Sequence, residues 1–116
     1  DIKGKKVILN LAKNPAGFNQ AISTVMCDTR KKNIIIAVND MPSDGRDISW
    51  IWDVDFETLN SESVNNIYTS GIRHNDLEVR FKYADFNNVE DYEDIKNAIL
   101  NGLDNCDVLY VLGHVS

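Results

Sequence analysis

Four aspartates lie within one short stretch of the chain: Asp40, Asp44, Asp47 and Asp53. Carboxylates this close in sequence can bind a hard cation, orient a histidine, or cap turns of their own backbone. Their spacing departs from the calcium-binding EF-hand pattern, and no glutamate occupies the final ligand position. The histidines, His74 and His114, are distant in sequence, so an independent acid–base pair is not indicated. The Asp44-Gly45 pair is equally consistent with a simple turn.

Two tryptophans lie within this acidic stretch, and a histidine follows it. Trp50 and Trp52 are typical of either core anchors or interface anchors, and we expect core packing for both. His74 lies beside Arg73 and Asp76 at a predicted helix start. We interpret it as a surface or capping residue rather than a catalyst.

Asn14 and Pro15 mark a second candidate position, at the start of a predicted helix. Backbone amides at such a start favour an anion such as phosphate. The sequence lacks the GxGxxG and GxxxxGK[ST] patterns, so an ordinary helix start is favoured over a ligand contact.

The composition limits the class of protein. A chain of 116 residues fits a single domain, residues 1–116, that can fold without metal or disulfide support. Twelve basic and eighteen acidic residues give a net charge of -6, which argues against a nucleic-acid partner.

No apolar run approaches the roughly 20 residues that span a bilayer. No signal-peptide pattern is present, and we expect a cytoplasmic protein without a transmembrane segment.

The two cysteines form no zinc-binding pattern. Cys27 and Cys106 lie far apart and belong to no CxxC pair or Cys/His cluster, so no metal site is predicted. We expect both to be buried reduced thiols, although the sequence alone leaves a disulfide open.

Strands and helices that alternate along the chain must position these residues. The apolar patterns predict strands at Lys6–Ala12, Asn33–Asn39, Val64–Thr69 and Cys106–Leu112, and helices at Ala16–Met26, Asp76–Tyr83 and Val89–Leu103. Continuous apolar runs indicate strands buried on both faces of a parallel sheet. The predicted fold is an α/β, Rossmann-like three-layer sandwich with a mostly parallel sheet.

In such folds ligands gather beyond the carboxyl ends of the strands. The loops Lys13–Phe18 and Asp40–Trp52 follow the first two predicted strands. The sequence therefore predicts a functional edge formed by these two loops.

Three sequence blocks together resemble the C-terminal domain of the MurT family. They are Asn14–Gln20, then Asn39-Asp40 with Asp44–Glu57, then Ser70–Arg73 with Leu77–Tyr83. The blocks occur in the family's order and span almost the whole chain. The tryptophan block is the specific one, because Mur ligases and folylpolyglutamate synthases in general share the Asn-Pro block.

The resemblance implies a Mur ligase C-terminal-domain-like fold, excised from a longer ligase whose central ATP-binding domain is absent. ATP and Mg2+ would be bound mainly by that central domain, with no cofactor expected in this domain alone. The full enzyme would amidate the D-glutamate α-carboxylate of lipid II, using ammonia that a GatD-like glutaminase subunit releases from glutamine.

The same resemblance implies residue roles. The C-terminal domain would dock the GatD-like subunit and supply an aspartate to its catalytic cysteine and histidine. By motif position that aspartate is Asp44, with Asp47 second and Asp53 third. Asn14 would face the nucleotide side of an interdomain cleft.

Two alternatives stay open at this point. The domain could be a non-catalytic docking module, with the tryptophans as anchors and no catalytic carboxylate. It could also be the terminal domain of another Mur or folylpolyglutamate-type ligase, which needs no glutaminase partner.

Overall fold

A computed structural model describes residues 4–39 and 48–114. The strands are β1 (Lys6–Ala12), β2 (Lys32–Val38), β3 (Val64–Ser70), β4 (Val89–Asp91) and β5 (Val108–His114), and the helices are α1 (Pro15–Met26), α2 (His74–Tyr83) and α3 (Ile95–Gly102). Two 3-10 helices, Ile48–Asp53 and Phe56–Leu59, lie between β2 and β3.

The described strands form one parallel sheet in the order β1-β5-β2-β3-β4. Every residue of β2 and of β5 is buried, as continuous apolar runs predict for central parallel strands. The predicted Rossmann-like α/β fold is confirmed.

Two clusters of buried side chains, one on each face of the sheet, define the three layers. On one face, α1, α2 and the 3-10 helices bury side chains that include Phe18, Phe56 and Phe81. On the other face, α3 packs Ala98 and Leu103 against β2, β3 and β5.

Strand β1 differs from the prediction that it would be buried on both faces. It lies at the edge of the sheet, where it pairs with β5. Leu9 and Leu11 are 61% and 66% exposed, whereas Ile8 packs against the α1 side. The reason is that α3 lies over the middle of the sheet and leaves this side of β1 uncovered.

The predicted helix Val89–Leu103 is wrong over its first part. Val89–Asp91 forms β4 instead and pairs with β3, and the amide of Tyr92 donates to the Thr69 carbonyl at 2.8 Å. Helix α3 begins after Asp94, whose carboxylate accepts from the Lys96 amide at 3.0 Å and caps the first turn. Tyr92 and Ile99 still pack on the same cluster, which explains why the sequence resembled one amphipathic helix.

Other element boundaries shift by a few residues. Helix α2 begins at His74 rather than Asp76, and the last strand runs Val108–His114 rather than from Cys106.

Cys106 is buried, and this burial raises the pKa of its thiol. Cys27 is exposed, so its predicted burial is wrong; both cysteines are free thiols.

Within residues 4–39 and 48–114, none of the helices combines the length and the hydropathy that crossing a membrane requires.

Gly71 follows β3 at the point where the chain turns into α2. Its φ of +89° is a conformation that side-chain-bearing residues rarely adopt. A Cβ added there would lie 2.6 Å from the Val38 carbonyl oxygen and 2.8 Å from Asn39 Oδ1. The backbone of Val38 at the end of β2 and the side chain of Asn39 therefore leave no room for a side chain here.

We expect Gly71→Ala to lower the free energy of unfolding by about 2–4 kcal/mol, because it combines left-handed strain with overlap against rigid backbone. Urea unfolding would measure the loss. Gly4→Ala is the matched control: its φ is +77°, but nothing lies within 4 Å of the added Cβ. That control should cost only about 1–2 kcal/mol, the strain alone. Equal losses in the two variants would contradict the overlap argument.

Candidate functional site

The carboxyl ends of the five parallel strands meet at one edge of the sheet, which we call the carboxyl edge. Its members are Ala12, Val38, Ser70, Asp91 and His114, the last residues of the strands. Register pairs Ala12 and Val38 with His114, so the ends of β1, β5 and β2 are level. The predicted site loops that follow β1 and β2 therefore leave the sheet at the same edge.

Asn14 lies on this edge and caps α1. Its backbone is extended, and its side-chain oxygen accepts from the Gly17 amide at 2.8 Å. Pro15 occupies the first turn, where its missing N–H costs nothing. The predicted helix start is thus confirmed, while a contact between Asn14 and a nucleotide stays a prediction.

Of the three aspartates predicted for catalysis, Asp53 is the one within the described residues. Asp44 and Asp47 lie outside them, as does Asp40. Asp53 ends the first 3-10 helix, and its side chain is exposed. Its carbonyl accepts from Asn19 Nδ2 at 3.4 Å, and Asn19 Oδ1 accepts from the Asp55 amide at 2.7 Å. Helix α1 therefore holds the backbone here and leaves the carboxylate at the surface.

A buried arginine holds the two 3-10 helices against α2. Arg80 is 3% exposed, and its guanidinium donates to the Ile51 carbonyl at 3.2 Å and to the Val54 carbonyl at 2.8 Å. It also binds both carboxylate oxygens of Glu57, at 2.8 and 2.9 Å. This bidentate bond lowers the pKa of Glu57. Sequence reasoning missed Arg80; its spacing from Leu77, on the buried face of α2, was the available signal.

The two tryptophans have different environments. Trp50 is partly buried, with ring centroids 5.7 Å from Phe18 and 4.6 Å from His114, so its predicted core packing is confirmed. Trp52 is 46% exposed, so the same prediction is wrong for it. It meets the Tyr83 ring edge-on at 5.2 Å, and the Arg80 guanidinium carbon lies 5.3 Å from the Trp52 centroid.

Trp52 therefore belongs to a surface that sequence reasoning did not predict. Val79 and Tyr83 on α2 are 48% and 75% exposed beside it. We call Trp52, Val79 and Tyr83 the aromatic patch. Tryptophan, tyrosine and arginine are enriched among the residues that contribute most to protein–protein binding.

The sequence suggested that His74 is a surface or capping residue. In the structure it is instead a partly buried residue that pairs with Asp91. Its Nδ1 lies 2.7 Å from Asp91 Oδ2, and the two side chains are only 18% and 17% exposed. Asp91 Oδ1 in turn accepts from the Thr69 hydroxyl at 2.6 Å. The pairing was hidden in the sequence because Asp91 had been assigned to a helix.

Among the described residues, no group of three His, Cys, Asp or Glu side chains is placed to hold a metal ion. His74 and Asp91 form a pair, and Glu57 is committed to Arg80. The polar groups described above are therefore arranged as hydrogen-bonded pairs and exposed carboxylates.

A family model and individual known proteins point to the same family. A family model described as MurT ligase C-terminal matches residues 11–114. The lipid II isoglutaminyl synthase (glutamine-hydrolyzing) subunit MurT of Staphylococcus aureus is 42% identical over 81 residues, which cover 70% of this chain and 18% of that protein. The subunit of the same name from Streptococcus pneumoniae is 33% identical over 85 residues, 73% of this chain and 19% of that protein. The chain thus matches about a fifth of the length of these curated relatives.

We expect Arg80→Lys to lower the free energy of unfolding by about 2–4 kcal/mol, because one ammonium cannot replace a planar group that serves two carbonyls and a carboxylate. Urea unfolding at neutral pH would measure the loss. Glu57→Gln is the control: its carboxylate is 58% exposed, so solvent screening keeps the expected loss under about 1 kcal/mol. A milder effect of Arg80→Lys than of Glu57→Gln would contradict the proposed anchoring role.

The same pair predicts a pH dependence. Because the folded-state pKa of Glu57 is lowered, its contribution is present above the ordinary value of 4.5 and is lost as pH falls through the lowered value. Glu57→Gln should therefore flatten this acid-side part of the stability profile. An unchanged profile below pH 4.5 would contradict the assignment.

Proposed function

Because the chain belongs to the MurT ligase C-terminal family, we propose that it is the C-terminal domain of a MurT subunit of a glutamine-hydrolysing lipid II isoglutaminyl synthase. The observation that carries this proposal is the family match over residues 11–114, which includes the acidic stretch and both tryptophans. In the proposed reaction, the whole enzyme amidates the D-glutamate α-carboxylate of lipid II in the cytoplasm. The ammonia comes from glutamine that a GatD-like subunit hydrolyses.

ATP and Mg2+ belong to another domain of the proposed enzyme. Among the described residues, no group of three or more His, Cys, Asp or Glu side chains could hold a metal ion, and Asn14 Oδ1 accepts from the Gly17 amide. The exposed Asn14 side chain has a remaining amide nitrogen that is suited to face the nucleotide side of a cleft. No step assigned to this domain passes through ATP.

The role proposed for this domain is to complete the glutaminase site. A carboxylate that accepts from one imidazole nitrogen holds a catalytic histidine in a single tautomer and stabilises its imidazolium form. Asp44 is the first candidate, Asp47 the second and Asp53 the third. The exposed carboxylate of Asp53 supports its place among the candidates, because the backbone of Asp53 rather than its side chain binds α1.

The aromatic patch is the surface that we propose for docking the GatD-like subunit. It lies on α2 and the first 3-10 helix, and Asp53 follows Trp52 directly in the chain. A contact centred on Trp52 would place the acidic stretch beside the partner. A tryptophan that is supported by an arginine and becomes buried on binding has the character of an interface anchor.

A docking module without catalysis is the second candidate function. The half-exposed Trp52 supports a docking module and a shared active site equally well. Docking alone requires no carboxylate. The two candidates differ in the effect of the aspartates.

We expect Asp44→Asn to lower glutaminase turnover of the reconstituted complex by roughly 10³- to 10⁴-fold, the scale on which an orienting carboxylate acts. Association of the subunits, measured by light scattering, should be unchanged, because the substitution preserves size. Asp47→Asn and Asp53→Asn are the matched controls and should have smaller effects. Full activity in all three variants would favour the docking module and remove the shared-triad proposal.

We expect Trp52→Ala to weaken association with the GatD-like subunit by roughly 10- to 30-fold, as loss of a central aromatic anchor does. Leu100→Ala is the control, because Leu100 is 41% exposed but lies on α3, on the opposite face of the sheet. A larger loss in Leu100→Ala than in Trp52→Ala would move the docking surface to the α3 face.

A further inference from the structure

The side of β1 that faces the α3 layer carries three aliphatic residues, Val7, Leu9 and Leu11, which we call the aliphatic strip. They share one face of the strand because side chains alternate along it, and Ile8 between them packs on the α1 side. Val7 packs against the cluster beneath α3, whereas Leu9 and Leu11 are more than half exposed. Since the two leucines are neighbours on one face, they form a continuous apolar surface rather than isolated exposed residues.

The opposite face of the same strands is covered by a helix. Helix α1 contacts both β1 and β5. On the other side of the sheet, α3 contacts β2 and β3 and packs against Leu109 and Val111 of β5. Within residues 4–39 and 48–114, no helix buries Leu9 or Leu11. The position over β1 that lies opposite α1 is therefore suited to one more helix of the same layer as α3.

The two edges of the sheet differ in how they are protected. Strand β4 has three residues and carries Glu90 and Asp91, and short, charged edge strands resist pairing with other chains. Strand β1 has seven residues and no proline, and its one charged residue is Lys6 at its start. Proteins cover edge strands of this kind with a helix or a loop. The composition of β1 therefore indicates that another segment covers it in the whole protein.

The chain leaves β5 beside the aliphatic strip. Register pairs Leu11 with Gly113, so the end of β5 is level with the end of β1. A Cβ added to Gly113 would lie 3.2 Å from Leu11 Cδ2, which places the Leu11 side chain against the last residues of β5. A segment that follows β5 after a short connection therefore reaches Leu11 and then Leu9. Because α1 occupies the other face, the α3 side is the one open to this segment.

A segment that precedes β1 fits the strip less well. It enters the sheet at Lys6, about 17 Å from Leu11 by the rise of a strand. A helix that spans all seven residues of β1 needs about 15 residues. A longer parent chain is expected, because the region matched in the curated relatives is about a fifth of their length.

We propose that the segment that continues the chain beyond β5 forms an amphipathic helix, which packs its apolar face on Leu9 and Leu11. This helix runs antiparallel to β5 and lies beside α3 in the same layer. The proposal rests on the chain being one domain of a longer subunit, as proposed above. It does not depend on the shared active site or on the aromatic patch, which lies on the other face of the sheet.

Photo-cross-linking in the intact parent subunit, bound to its partner, identifies the segment that covers the strip. The photoreactive residue p-benzoylphenylalanine replaces Leu9 or Leu11, and mass spectrometry of the linked peptides locates the contact. We expect the dominant link to join a peptide of the same polypeptide that follows His114. The same group in place of Val79, which is exposed on α2, is the control and should not link to that peptide. A dominant link to a segment before β1, to a second copy or to the partner would overturn the proposal, as would the absence of any link.

Cysteine accessibility tests the burial of the strip independently, in the intact subunit without its partner. Leu9→Cys and Leu11→Cys should react with a maleimide at least roughly tenfold more slowly than Val79→Cys, because a covered thiol reacts only after local opening. Mass spectrometry of each labelled peptide measures the rates. Equal rates at the three positions would overturn the proposal.

Neither measurement requires glutaminase activity, so failure of this proposal would leave the proposed function unchanged. A parent subunit that shows the cross-link to the peptide after His114 but supports no amidation of lipid II would contradict the proposed function alone.

Discussion

The guanidinium of Arg80 is the interaction that holds the segment between β2 and β3 against α2. A buried cation is costly unless it is paired, and Arg80 is paired with two carbonyls and one carboxylate. These acceptors all belong to the segment 51–57, which has little regular structure beyond two short 3-10 helices. Its position against α2 is therefore held by this side chain, while Asn19 of α1 binds the backbone of Asp53 and Asp55.

The parallel sheet imposes the second constraint. Since all the described strands run in the same direction, the chain reverses through a helix or a loop after each one, and these connections begin at one edge. Helices α2 and α3 cover opposite faces, yet both begin at this edge. Their N-termini thus approach each other across the ends of β3 and β4, and this approach forms a cavity beside His74. The cavity is a consequence of the topology rather than of one unusual loop.

The local pattern of apolar and capping residues was sufficient to predict the elements whose burial or start follows from their own sequence. Continuous apolar runs identified β2, and the Asn14-Pro15 pair identified the start of α1. Strand β4 was missed because three residues carry no period, and only pairing with β3 makes them a strand. The Asp91–His74 contact was missed with it.

Side-chain environments that depend on distant residues were also beyond sequence reasoning. Arg80 bonds to groups 23 to 29 positions earlier in the chain, which no local pattern encodes. Trp50 and Trp52 would share a face in a strand. In a 3-10 helix with three residues per turn they point apart, so one is partly buried and the other exposed. The roles of Asp44 and Asp47 stay predictions, since both lie outside the described residues.

Negative charge on this domain suits the proposed shared active site, because an imidazolium is a cation. The chain carries a net charge of -6, Glu93 and Asp94 are exposed just after β4, and Asp53 is exposed in the segment that Arg80 holds against α2. Screening at physiological ionic strength limits interactions between exposed charges to about 8 Å, so each carboxylate acts on its own neighbourhood. Glu93 and Asp94 follow β4, whereas Asp53 follows Trp52 in the segment that Arg80 holds against α2. These exposed carboxylates therefore share the sign of their charge but act on different neighbourhoods.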